Sequence, residues 1–491
     1  MKRVFLLFGA VSLLQACTYG VVNNATTGSA LNAATVTVLN GQCSGSGCSV
    51  TPVQEVTTSS GLYVFDAYST TASKIILPSS GEEAITLMVS KSGYQPRIVY
   101  HKPKYETINY NGETRYYTQV PTVYLCPLGS LDSDGDSICN DAEARYGTNA
   151  YNSDTDGDRL SDAAELFGWS GVDLATFGAN PKHKDVFIEI DYYPGLKPQS
   201  AAIDKVVQAF ADAPVNNPDG VSGINLIIDL NQQIAAADVD NDLNPAWTDF
   251  DVIKNKYYHP RRTAVFHYAL FANRYNGGSS SGLSRGIPAH DFIVSLGNWS
   301  TPGGTMQQQA GTLMHEFGHN LGLRHGGNEN TNRKPNYISI MSYNYQLGGL
   351  RFDGIDGNLD YSSLRINSVS ESSLNELLAF SGFAGTTEAD LAHYGVRLCS
   401  GWLSGNASSN LDFDRDGMIE TLVSADLDCD SSSSDTFNAS QNDWDNLVFD
   451  GGGSIGDGLL GASEGLSLRY GISRIQRLAP QHVEPCMTEF E

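Results

Sequence analysis

His315 and His319 stand four residues apart in QQQAGTLMHEFGHNLGLRHGG (307–327), a spacing that puts two imidazoles on one face of a helix. Gly322 comes where a left-handed turn would end that helix, and the reversed chain would bring His325 back as a third nitrogen ligand. Three neutral imidazoles around Zn²⁺ leave a fourth position for water, which marks a catalytic site rather than a closed structural one. Glu316, beside the first ligand, is placed to take a proton from that water. By residue frequencies the pattern H-E-x-x-H-x-x-G-x-x-H arises by chance with a probability on the order of 10⁻⁵. Histidines scattered for packing do not explain it. The remaining histidines (101, 183, 259, 267, 290, 393 and 482) show no ligand spacing and read as structural or surface residues.

A second chemistry lies upstream. Asp132, Asp134, Asp136, Asn140 and Glu143 occupy positions 1, 3, 5, 9 and 12 of one loop. Asp154, Asp156, Asp158, Asp162 and Glu165 occupy the same positions of another, 22 residues on. Calcium takes six to eight hard oxygens, and the alternation would turn successive carboxylates inward. The closing Glu can give both oxygens, and position 7 (Ile138, Leu160) a main-chain carbonyl. Two copies in phase argue against a merely solvated acidic linker. Asp412, Asp414 and Asp416 alternate the same way in DFDRDGMIE, but position 12 is Val423, so that loop is an incomplete calcium site or a solvated turn.

The histidine motif resembles that of the metzincin metallopeptidases. NYISIMSYNY (336–345) adds a likeness to the Met-turn, with Met341 sixteen residues after His325. The resemblance implies that Met341 forms an apolar base beneath the metal. Ser339-Ile340-Met341-Ser342-Tyr343 is similar to the turn of astacins and serralysins, which implies that Tyr343 helps hold the oxyanion. The activity implied is that of a zinc-dependent endopeptidase in which Glu316 deprotonates water and returns the proton to the leaving amine. Its protein or peptide substrate would lie extended along an edge strand, for which DFIVSLGNW (291–299) is the expected segment. Gly326 comes after the third ligand where familiar subfamilies carry Glu, Pro, Ser or Asp, so the subfamily and the substrate preference stay open. The two in-phase acidic loops have Gly at position 4 and resemble thrombospondin type 3 repeats, implying structural calcium.

The elements that must position these groups are legible in outline. From about 20 to 125, VTVL (36–39), LYVFDAY (62–68), ITLMVS (85–90) and PRIVY (96–100) are strand-like and separated by turn residues. They predict a small antiparallel β-sandwich, and the segment resembles the prealbumin-like module found beside carboxypeptidases. KDVFIEIDYY (184–193), GINLIIDL (223–230), TAVFHYALFA (263–272) and HDFIVSLGNW (290–299) predict strands. Ile203, Val206, Val207 and Phe210 recur at helical spacing before Pro214, so an α/β layer is expected to carry the metal motif. SESSLNELLAF (370–380) predicts a further helix. The expected fold is therefore multidomain. A signal occupies 1–16, an antiparallel β-sandwich 17–126, a calcium-loop linker 127–168, an α/β metzincin-like domain 180–365, and an extension 366–491.

Composition bounds the setting. The chain has 491 residues, 41% of them hydrophobic, which is enough for several folded domains. Its net charge of −25 repels phosphate backbones, so nucleic acid is not an expected partner. MKRVFLLFGAVSLLQAC opens with a basic pair and an apolar run too short to span a bilayer, and it reads as a secretory signal. Leu14-Gln15-Ala16-Cys17 resembles the bacterial lipobox, which implies acylation of Cys17 and a lipid anchor in a bacterial membrane. Thr18 lacks the Asp that retains some lipoproteins in the inner membrane, favouring an outer-membrane or surface location. Eight cysteines fit an oxidising compartment, with Cys43–Cys48, Cys126–Cys139 and Cys399–Cys429 as local pairs among many possible connectivities. A different class of function also fits: a lipid-anchored adhesin or binding protein whose metzincin domain is catalytically silent. Against it, three ligands, Glu316, Gly322 and Met341 are all retained.

Overall fold

The computed structural model describes residues 16–44, 47–66, 78, 82–104, 106–110, 113–380 and 388–449. Residues 1–15 of the expected signal, and Cys486, lie outside the described residues. The chain divides into two compact units, one up to Lys184 and one from Asp185. Among the described residues no helix is long and apolar enough to cross a membrane.

The first unit begins with β1 (Ala16–Asn24), β2 (Thr35–Ser44), β3 (Gly47–Thr57), β4 (Leu62–Asp66) and β5 (Ile85–Ser90). It continues with β6 (Arg97–His101), β7 (Glu106–Tyr110), β8 (Glu113–Gln119) and β9 (Val123–Leu125). Cys17 lies in β1, opposite Asp66 and Tyr117. One sheet runs β3-β2-β5-β6 and is antiparallel throughout, with Cys43 and Cys48 as register partners across β2 and β3. The other runs β4-β1-β8-β7 with β9 beside β1. Here the antiparallel expectation is corrected: β1 pairs parallel with both β8 and β9, because the chain returns to it in its own direction. Alternate residues such as Ile85, Leu87 and Val89 turn inward, as a half-buried strand requires. The two sheets share one core, which Ile138, Ala142, Ala163 and Phe167 of the acidic repeats also enter. Those repeats contribute α1 (Asn140–Tyr146), α2 (Asp162–Phe167) and, just after them, α3 (Leu174–Phe177). A disulfide between Cys126 and Cys139 ties the end of the β region to the first acidic loop.

The second unit holds β10 (Asp185–Tyr192), α4 (Ser200–Ala211), β11 (Asn225–Gln233), α5 (Ala246–Tyr257) and β12 (Phe266–Phe271). β13 (Gly282–Ser284), β14 (Asp291–Val294) and α6 (Met306–Asn320) come next. The sheet order is β11-β10-β12-β14-β13, parallel except for β13. Val186, Ile188 and Ile190 face the core that α4 and α6 share. Glu189 and Asp191 alternate with them and point to the opposite face. There Glu189 meets Arg262 at 2.9 Å, and the Tyr268 hydroxyl donates to Asp191 at 2.9 Å.

Three expectations change. β14 is an interior strand, so the segment 291–299 does not form the sheet edge; the chain doubles back through β13, which does. Residues 263–264 belong to a short 3₁₀ turn ahead of β12. Residues 370–380 are not a helix but the end of a two-residue strand, a 3₁₀ turn, a bridge at Leu374 and a turn over 376–380. Glu371 and Glu376 are buried there and accept hydrogen bonds from backbone N–H groups of two later loops, which ties the segment to them. The core around α6 continues through Leu374, Phe380, Leu411, Phe413 and Trp444, so it crosses the boundary expected at 365.

Candidate metal centre

α6 starts with a reciprocal cap: the Gln308 N–H donates to the Thr305 hydroxyl, and the Thr305 N–H to the Gln308 side chain. From Gln309 onward every residue of the helix is buried. Gly322 takes φ +93°, and Leu323 N–H closes on the Gly318 carbonyl, so the chain reverses after α6. Arg324 and Gly327 then exchange backbone hydrogen bonds around His325, which sets the third imidazole back beside the helix. His315 and His319 are fully buried and His325 is 3% exposed. Their ring centroids lie 4.8 Å (315–319), 4.9 Å (319–325) and 5.3 Å (315–325) apart.

Each ring is oriented by a partner that the sequence does not reveal. His315 Nδ1 lies 3.0 Å from the Ile340 carbonyl and His319 Nδ1 lies 2.8 Å from the Leu323 carbonyl. A carbonyl only accepts, so both rings carry their proton on Nδ1 and present Nε2 as a lone pair. His325 is hydrogen-bonded by the side chain of Asn332. Burial, and then the neighbouring imidazoles, hold His315 and His325 well below the usual histidine range; His319 is pushed down to about 4, chiefly by burial. The rings are therefore neutral at physiological pH.

His319 Nε2 and His325 Nε2 face one another at 3.2 Å. Two nitrogens bound to zinc at ~2.05 Å with a tetrahedral angle stand about 3.3 Å apart. The donor set, its protonation and its spacing thus fit Zn²⁺, and the atoms offered by the three residues all fall within 4.8 Å of one another.

Glu316 is fully buried on the same turn of α6. The edge strand β13 lies against it: a Cβ on Gly282 would come 2.5 Å from Glu316 Oε1. Asn320 Nδ2 donates to Ser284 Oγ at 2.8 Å, which fastens that strand to the helix end. Met341 is fully buried, and its sulfur lies 2.3 Å from where a Cβ on Gly318 would be. The ring of Tyr343 stands 4.3 Å from His325 and 5.9 Å from His315 by centroids. The fold therefore gathers all six motif residues, His315, Glu316, His319, His325, Met341 and Tyr343, around one point.

Helix position is set partly by Gly311, where a Cβ would meet the Gln346 carbonyl oxygen at 1.9 Å. Alanine there gains ~1 kcal/mol of helix propensity but forces backbone apart, which costs about 3 kcal/mol. Gly311→Ala is expected to lose about 2 kcal/mol net, read as a lower denaturation midpoint. A midpoint at or above the parent's would show that the helix is not pinned at this contact.

In the first acidic loop, Asp132 accepts from the N–H groups of Gly135 and Ser137, and Asp136 from Ile138. The second loop repeats this with Asp154 to Gly157 and Arg159, and Asp158 to Leu160. Asp134, Asp136 and Glu143 each keep buried carboxylate oxygen without a hydrogen-bond partner, and Glu143 keeps both. Burial and then the charges of Asp134 and Asp136 push Glu143 up to about 8; Asp136 is pushed up to about 7, mainly by burial. Such oxygens are what a hard cation would satisfy. Position 9 behaves differently from expectation. Asn140 braces Ser133, and Asp162 braces Thr155 through both of its oxygens. Glu165 is buried at the end of the second loop.

The third loop has the same local build: Asp412 accepts from Gly417, Asp414 from Asp416 and Asp416 from Met418. A fourth, at 426–432, goes beyond the three expected from the sequence. Asp426 accepts from Cys429 and Ser431, Asp428 from Asp430 and Asp430 from Ser432. Its signal is the alternation Asp426-x-Asp428-x-Asp430, with Cys429 at φ +65° where the first two loops place Gly and the third Arg415. Cys429 is disulfide-bonded to Cys399.

The chain matches no protein-family model and no curated protein.

Proposed function

We propose that the protein is a zinc-dependent endopeptidase of metzincin type, exported and lipid-anchored through Cys17 at a bacterial outer membrane or surface, with calcium bracing its acidic loops. The observation that carries the reading is the 3.2 Å between Nε2 of His319 and Nε2 of His325, the span of two nitrogens on one zinc, in a buried cluster with His315.

His315, His319 and His325 would hold the zinc, with their rings oriented by Ile340, Leu323 and Asn332. When bound there, zinc supplies Lewis-acid chemistry, polarising a carbonyl and acidifying water. Glu316 accepts the proton of the attacking water in its dry setting and delivers it to the leaving amine. Tyr343, beside two of the ligands, is the residue available to donate to the developing oxyanion. An extended peptide adds to the outer side of β13, the true edge, and Gly282 lets that strand lie directly against Glu316. For calcium, Asp132, Asp134, Asp136 and Glu143 form one donor set. Asp154, Asp156, Asp158 and Glu165 form the second, while Asp412, Asp414 and Asp416 offer a more open third.

The test is zinc content and cleavage of an unfolded protein such as casein, before and after removal of metal. One zinc per chain, with cleavage lost on removal and restored by zinc, is the expected result. A chain that binds no zinc would sink the proposal, and one that binds zinc without cleaving would favour the binding-protein reading.

A further inference from the structure

Residues 438–448 return to the metal centre more than a hundred positions after the motif. Lys334, buried beside the third-ligand loop, donates to the Ala439 carbonyl at 3.0 Å. Ser440 and Ile366 exchange two hydrogen bonds. Val448 N–H donates to the Leu321 carbonyl at the end of α6, at 2.9 Å. Between these anchors lies Asp443, fully buried.

Its Oδ2 accepts three hydrogen bonds, from the Tyr337 hydroxyl at 2.7 Å, the Ser339 hydroxyl at 2.8 Å and the Ser362 N–H at 2.9 Å. Oδ1 accepts from Gln441 at 3.2 Å. Tyr337 and Ser339 lead into the residue that matters most to the first ligand, because Ile340 supplies the carbonyl that orients His315. The Ser339 hydroxyl, its proton committed to Asp443, accepts in turn from the Met341 N–H at 3.2 Å, so the peptide after Ile340 is held from the same point. The N–H of Ile340 donates to the Asp360 carbonyl at 2.9 Å, and the Asp360 side chain accepts from the indole of Trp444, next to Asp443. The turn is thus gripped from 337 to 341 by one distant dipeptide.

We infer that Asp443 is a positioning residue of the zinc site: through Tyr337 and Ser339 it fixes the Ile340 carbonyl, and through that carbonyl the His315 ring. This rests on the zinc reading proposed above. A partner one step behind a metal-ligating histidine typically alters metal affinity about 10- to 100-fold when removed. Leucine at 443 fills similar space but leaves two hydroxyls and one N–H without this acceptor. Asparagine keeps an oxygen that can accept the same three bonds.

Zinc affinity is to be measured by competition with a chromophoric chelator in the parent, Asp443→Leu, Asp443→Asn and Ser339→Ala. The exposed Asp445→Ala is the control, and the visible spectrum of the cobalt-substituted protein is recorded for each. The expected result is affinity about 10- to 100-fold weaker in Asp443→Leu, a smaller loss in Ser339→Ala, and an altered cobalt spectrum in both. Asp443→Asn should recover parent-like affinity and spectrum, and Asp445→Ala should match the parent. If Asp443→Leu does not fold by circular dichroism, Ser339→Ala decides. Parent affinity and spectrum in a folded Asp443→Leu or in Ser339→Ala would overturn the inference while leaving the zinc reading intact. A parent that binds no zinc would remove the zinc reading itself.

Discussion

Glu316→Gln is expected to lower kcat/KM for peptide cleavage by about 10²- to 10⁴-fold, the usual worth of a positioned general base. Zinc content should not change. Glutamine matches glutamate in shape, so α6 and the three imidazoles stay in place, while the amide cannot take a proton from water. Glu316 is fully buried one residue from a ligand, and the ligand set His315, His319 and His325 is complete without it. The measurement is a fluorogenic peptide assay on parent and variant, each with its zinc determined. Equal rates would remove Glu316 from the chemistry. Loss of zinc in the variant would mean that Glu316 holds the metal rather than serving beside it.

Calcium is expected to raise the melting temperature of the first unit by about 5–10 °C. Saturating one site a hundredfold above its dissociation constant adds ~2.7 kcal/mol, and for a unit of this size each kcal/mol shifts the melt by about 2–4 °C. The metal-free protein should also respond to pH. Glu143 rises from an ordinary 4.5 to about 8 when folded, so between those values the folded chain holds a proton that the unfolded chain has lost. The stability tied to this proton is full below pH 4.5 and is lost as pH climbs through about 8. Calcium abolishes the dependence by replacing the proton. Glu143→Gln should weaken the metal-free pH response, leaving the part due to Asp136, and shrink the calcium shift. Melts at several pH values, with and without calcium, check this. A shift that survives intact in Glu143→Gln would place the ion elsewhere.

The parts of the site legible in the sequence are those encoded over a few residues. His315, Glu316, His319, Gly322 and His325 lie within one helix and its turn, so spacing alone predicts their geometry. Ile340 and Leu323 act through carbonyls, which carry no residue signature. Asp443 sits far downstream among Ser, Asn and Asp that resemble any solvated loop. The edge strand β13 is only Gly-Leu-Ser, too short for alternation to show, and β14, with its apolar Phe292, Ile293 and Val294, is the more visible choice. The sequence 370–380 does carry helical spacing. Tertiary demand overrides it, because Glu371 and Glu376 serve backbone donors of two aspartate loops. Asn140 and Asp162 hold the correct position in a repeat and a different task, since Ser133 and Thr155 offer them nearer partners.

The grip of Asp443 on Tyr337 and Ser339 spans 106 and 104 positions. A nascent chain leaving the ribosome or a translocation pore amino-terminus first therefore exposes its histidines long before the residue that steadies the turn beneath them. Until Asp443 and Val448 have emerged and docked, such a chain carries His315, Glu316, His319 and His325 without the finished floor beneath them. On the zinc reading proposed above, completion of synthesis thus becomes a checkpoint on competence: an unfinished or carboxy-terminally clipped molecule would be a poor peptidase.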